Sequence, residues 1–158
     1  MTGPYTDAPC ALGRAGIVAA ADKKEGDGKT PTGCFAFRQV FYRPDKLVAP
    51  VCALGVSPLS ADLGWCDDAT SPQYNKLVRL PFAAGHEKMW HEDNVYDLVL
   101  VIGHNDDPPV PGMGSAIFIH VAKAGFAATE GCVALDEPAL LAWLRLIKPG
   151  DRLIIDYP

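Results

Sequence analysis

What the sequence lacks narrows it first. No apolar run approaches the ~20 residues of a membrane-crossing helix, so no membrane span is expected. No two of the five cysteines (Cys10, Cys34, Cys52, Cys66 and Cys132) stand in a C-x-x-C spacing, which disfavours a zinc knuckle or a thioredoxin-type pair. An odd number leaves at least one thiol unpaired within a monomer, and the first four read as small buried hydrophobes. Basic charge is not in excess. The 14 Lys and Arg against 19 Asp and Glu give a net charge of −5, where a nucleic-acid partner would call for a basic face. The acidic residues crowd the stretch from Asp62 to Asp107, which reads as solvated surface. Met1 to Cys10 has neither the charged start nor the apolar stretch of a secretory signal, so at face value the chain is cytosolic. Repeats and low-complexity linkers are also missing.

Two motifs begin and fail. Gly28-Lys29-Thr30 resembles the end of a phosphate-binding loop, but Lys23 stands where that loop needs its first glycine, and Pro31 blocks the helix that should follow. His86-Glu87 begins like a metalloprotease helix, but the next histidine is His91. At ~100° per residue, five residues put the two rings on different helix faces. Both histidines therefore read as surface or core residues, and no metal site is expected.

What is there is a run of short apolar segments between Gly- and Pro-rich turns. At 158 residues and 49% hydrophobic, one domain over 1–158 with a real core is expected. Strands are expected at Gly16–Ala21, Cys34–Tyr42, Leu47–Val56, Lys76–Leu80, Val95–Gly103, Ala116–Val121, Cys132–Leu135 and Arg152–Tyr157. Lys23–Gly33, Gly64–Gln73 and the proline-rich Asn105–Gly114 read as loops. One helix follows Asp136 as N-cap, with Pro138 in its first turn and Leu140, Leu141, Leu144 and Ile147 at helical spacing; Pro149 and Gly150 end it. The class expected is mainly β: a sandwich or partly open barrel of mixed strands with one late α-helix.

The chemistry concentrates in Ser115 to Leu135. An apolar strand ends at His120, a small-residue loop follows, and Thr129-Glu130-Gly131-Cys132 leads into the next strand. A histidine and a cysteine at neighbouring strand ends can form a nucleophilic pair, because an imidazole in reach takes the thiol proton. Thr129 can fix the loop by a hydrogen bond. Gly131 lets the backbone approach a substrate, and the Cys132 amide, with that of Gly131, can face an oxyanion. Arg14 and Arg43 have the planar fork that grips a carboxylate, although ordinary surface ion pairs are the simpler account.

With Lys24-Glu25-Gly26-Asp27-Gly28-Lys29-Thr30-Pro31-Thr32-Gly33, Pro9-Cys10-Ala11-Leu12-Gly13-Arg14, Tyr42-Arg43-Pro44-Asp45, Tyr74-Asn75, Tyr96-Asp97, His104-Asn105 and Gly114 to Val121 in the same order, the chain resembles the L,D-transpeptidase catalytic domain, the YkuD family. The family pattern is a histidine at a strand end, then Ser/Thr-His-Gly-Cys and usually Asn or Arg two places on. His120, Thr129, Gly131 and Cys132 match it. Glu130 replaces the second histidine, and Ala134 replaces the Asn or Arg.

The resemblance implies Cys132, His120 and Gly131 as catalytic residues. Thr129, Glu130, His104, Asn105 and Ser115 are the substrate-binding candidates; Glu130 can contact an acceptor amine or point to solvent, and His104 can face a cleft or cap its strand end. The resemblance implies acyl transfer between peptidoglycan stem peptides through a Cys132 thioester, with an amine or water as acceptor, in the periplasm or cell envelope. The protein would act as a monomer, with no metal, organic cofactor or nucleic acid. A peptidoglycan-binding module that has lost turnover is the alternative, and a thiol redox or metal protein a third.

Overall fold

The computed structural model describes residues 7–157; residues 1–6 and 158, which the expected domain boundaries include, lie outside the described residues. The longest strand, β2 (Thr30–Tyr42), is the spine. Its first half carries β1 (Ile17–Ala19) in parallel and β10 (Arg152–Ile155) in antiparallel pairing. Its second half carries β3 (Gly55–Pro58) in parallel and β7 (Leu98–Ile102) in antiparallel pairing. A register shift between Phe37 and Val40 divides the halves and bends the strand. The sheet continues through β8 (Phe118–Val121), antiparallel to β7, and β9 (Val133–Leu135), parallel to β8. A second sheet has the order β5 (Leu77–Arg79), β4 (Leu63–Cys66), β6 (His86–Lys88).

Period-two alternation sends side chains to opposite faces of the large sheet, and both faces are covered. On one, Leu98, Leu100, Ile119, Val133 and Leu135 pack against Leu140, Trp143 and Leu144 of the helix α1 (Glu137–Leu144). On the other, Val99, Val101, Phe118 and Cys132 pack against Leu63, Trp65 and Met89 of the second-sheet region. Asp136 caps α1, its carboxylate accepting the Ala139 N–H at 2.8 Å. The chain is thus mainly β, a curled mixed sheet with a smaller sheet and one late helix.

Several expected boundaries move. Thr30–Gly33, read as loop because of Pro31 and Gly33, opens β2, where Pro31 pairs with Val18 of the short strand β1. Leu63–Cys66 overlaps the expected loop Gly64–Gln73; all four residues are buried, so no alternation marks the strand. The strand expected at Leu47–Val56 lies at Gly55–Pro58, and the His86–Lys88 strand was not expected. Val95 and Tyr96 precede β7 rather than starting it.

Candidate active site

The β8–β9 register sets the site. Ile119 pairs with Val133 and His120 with Ala134, so Cys132, one residue before β9, is level with Phe118. The Phe118 N–H lies 3.4 Å from the Cys132 sulfur. Cys132 and His120 therefore share one face of the sheet, two positions apart along the β8–β9 register. Both line a cavity of about 560 Å³, with Ala134 between them on the wall.

Cys132 is 9% exposed, and its Sγ donates to the Ala116 carbonyl at 3.2 Å. Burial and the nearby negative Glu87 push the thiol up to about 12, while the Phe118 N–H and the Lys23 charge pull the other way. The resting group is a neutral thiol rather than the thiolate of an ion pair. His120 is buried, and burial pushes its pKa below the ordinary value, so it is neutral too. Its Nδ1 donates to the Val121 carbonyl at 2.9 Å, which leaves the lone pair on Nε2. Tyr96 packs edge-on against the ring, centroids 5.4 Å apart.

The loop before the cysteine is self-bonded. Thr129 Oγ1 donates to the Cys132 carbonyl at 2.7 Å and accepts the Gly131 N–H at 3.1 Å. The Gly131 amide is therefore already engaged and does not stand free for an oxyanion. Gly131 has φ +140°, and a Cβ there would sit 2.8 Å from the Lys29 carbonyl oxygen. The 23–30 loop packs against this glycine where a side chain would stand. The N-terminal segment laces the other side: Ala11 and Ala134 exchange two 2.9 Å backbone bonds, and Arg14 N–H reaches the Thr129 carbonyl at 2.8 Å.

Glu130 also lines the cavity, but Arg14 Nε donates to both its oxygens at 2.9 and 3.0 Å, in an exposed pair. Arg43 is bound to Asp45 and lies 3.7 Å over the Trp90 ring. Both arginines are thus in ion pairs.

His104 and Asn105 are not brought to the cavity. His104 Nε2 donates to the Met113 carbonyl at 3.0 Å, and the residue lines a separate hollow of about 250 Å³. Asn105 clamps its own loop through Val110 and the Gly114 carbonyl. These positions act from behind the wall. Asn75 Nδ2 donates to the carbonyls of His104 and Asn105, while its Oδ1 accepts from Trp65 Nε1 and the Ala116 N–H. Ala116 is the residue whose carbonyl holds the Cys132 thiol. Ser115, in contrast, is on the cavity wall, buried, with its side chain against the Tyr74 hydroxyl.

Sequence reasoning missed the charged part of the wall: Lys23, Glu25, Asp67, Glu87 and His91. His91 reads in the sequence as a surface or core histidine, and Glu87 has no mark of its own there. They belong to a strand and the turn after it, and the strand alternation turns Glu87 toward the cavity.

A family model described as the L,D-transpeptidase catalytic domain, YkuD, matches residues 2–155. No curated protein and no solved structure matches the chain.

Proposed function

The chain belongs to the L,D-transpeptidase catalytic-domain family, and from that premise we propose that it is a cysteine acyl-transferase acting on peptidoglycan stem peptides in the periplasm or cell envelope. The observation that carries this reading is the shared cavity wall: Cys132 and His120 face one space, and the free ring nitrogen of His120 is Nε2. The thiol proton moves from Cys132 to Nε2 as the sulfur attacks the carbonyl of the third stem residue. The oxyanion forms against the backbone at Cys132. His120 then returns the proton to the departing D-alanine amine, leaving a thioester on Cys132. An amine or water gives its proton to His120, attacks the thioester and restores the thiol. With an amine the product is a 3→3 cross-link, and with water it is a trimmed stem.

Acylation by a carbapenem tests this reading. Intact-protein mass should rise by one carbapenem in the native protein and stay unchanged in Cys132→Ala. No adduct on the native protein would overturn it.

One observation favours a second reading, a peptidoglycan-binding module without turnover: the buried thiol is protonated and donated to Ala116 rather than to His120. Binding to isolated cell-wall sacculi with no release of D-alanine would select that reading.

A further inference from the structure

The smaller hollow, of about 250 Å³, is a cavity that the acyl-transfer chemistry does not use. It lies between β2 and β7 of the large sheet and the β4–β5 pair of the second sheet. Among the described residues, only Ile117 lines both this hollow and the catalytic cavity. Its apolar surface comes from Phe41, Trp65, Val101 and Phe118, all of them buried. Trp65 and Phe118 meet there edge to face, with ring centroids 4.9 Å apart, a geometry that accepts a further planar ring.

Polar groups with unused capacity border that surface. His104, on its wall, is 5% exposed. Its Nε2–H goes to the Met113 carbonyl, so Nδ1 carries the lone pair, and Nδ1 makes no hydrogen bond among the described residues. Burial pushes the ring below its ordinary pKa, which keeps that lone pair unprotonated. A buried ring nitrogen without a partner is an exception in a folded protein, and a ligand donor would complete it. Two cations stand at the exposed rim. Arg38 gives Nε and Nη2 to Asp106 at 2.7 and 3.2 Å, which leaves both N–H groups of Nη1 unused. Its guanidinium rests on Gly103, where a Cβ would stand 2.8 Å from Nη2. Lys76 Nζ reaches only the Pro72 carbonyl, at 3.5 Å. Asp106 is the one carboxylate on this wall; Asp107 acts on Arg38 from outside it.

We propose that this hollow is a second binding site, separate from the catalytic cavity, for a small aromatic acid that also carries a hydroxyl. The ring lies on Phe41, Trp65, Val101 and Phe118. The carboxylate takes the free N–H groups of Arg38 Nη1 and Lys76 Nζ, and the hydroxyl donates to His104 Nδ1. Cavities for drug-sized ligands begin at about 300 Å³, so this one takes a single ring and its substituents. The site goes beyond the acyl-transfer reading and stands or falls without it.

Titration of the full chain with 4-hydroxyphenylacetate, followed by NMR at the Trp65 indole, tests the proposal. Binding should saturate. Phenylacetate, which lacks the hydroxyl, and 4-hydroxyphenylacetamide, which lacks the charge, should each bind at least 3-fold more weakly. Lys76→Gln and Arg38→Gln should each weaken the acid at least 3-fold, and the two together at least 10-fold. Lys76 is exposed, so its variant stays informative even if Arg38→Gln melts early, and circular dichroism melting checks both. Glu87→Gln, on the wall of the catalytic cavity, should leave the affinity within 2-fold. No saturable binding, equal affinity for the acid and both analogues, or an affinity that Glu87→Gln changes and Lys76→Gln does not, would each overturn the site.

Discussion

His120 gives its Nδ1 proton to the Val121 carbonyl at 2.9 Å, and that bond decides which ring nitrogen faces the cavity. The ring is buried and neutral, so Nε2 has a lone pair to take the thiol proton. His120→Gln keeps a polar group but removes the base. Acylation by a carbapenem should slow about 10²- to 10⁴-fold, the usual range for loss of a general base. Single-turnover mass spectrometry reads this directly, and an unchanged rate would remove His120 from the mechanism.

The Cys132 thiol, held up to about 12, links ionisation to folding. The folded protein keeps the proton that the unfolded chain gives up near the ordinary 9.0. Stability is therefore full below pH 9 and falls as pH rises from there toward 12. The full loss is on the order of 4 kcal/mol. Cys132→Ser should lose most of this slope in urea titrations at pH 8 and pH 10. Glu87→Gln removes the negative charge that helps raise the thiol, so its alkylation by iodoacetamide at pH 9 should be faster than in the native protein.

Gly131 and the Lys29 carbonyl cannot both stay where they are once a Cβ is added. The clash would be at 2.8 Å, and φ +140° is costly for any L side chain. Gly131→Ala should destabilise the fold by about 2–3 kcal/mol. Urea unfolding measures the loss, and a neutral result would show that the 23–30 loop yields freely.

How far residues alone revealed this site depends on what marks a residue in sequence. His120 lies near the end of one apolar strand and Cys132 just before another, and alternation plus a short loop is enough to place them near each other. The helix after Asp136 was legible from its cap and its spacing. The β4 strand was not, because Leu63–Cys66 is buried on both faces and carries no period-two signal. The acidic part of the cavity wall was not legible either. Glu25, Asp67 and Glu87 are distant in sequence, and the pairing of β4 with β6 that brings two of them together follows from the fold. Gly131 stands out in the sequence as the residue before the cysteine, but the Lys29 carbonyl beside it comes from a distant segment and is visible only in the fold.

Asn75 tests the wall from behind. Its amide joins the indole of Trp65, the Ala116 N–H and the carbonyls of His104 and Asn105, at 2.7 to 3.1 Å. It also adopts φ +56°, a left-handed conformation that asparagine tolerates better than alanine. Asn75→Ala would leave several buried groups unpaired, each costing about 1–3 kcal/mol, so a loss of at least about 3 kcal/mol is expected. Asn75→Asp keeps the two acceptor bonds but sets a buried carboxylate oxygen against the His104 and Asn105 carbonyls, so it should be destabilised at least as much as alanine. Since Ala116 also accepts the Cys132 thiol, both variants should alter iodoacetamide alkylation of Cys132 at temperatures where they remain folded. A variant that melts lower yet shows the native alkylation profile would mean that Asn75 supports the fold without setting the position of the thiol.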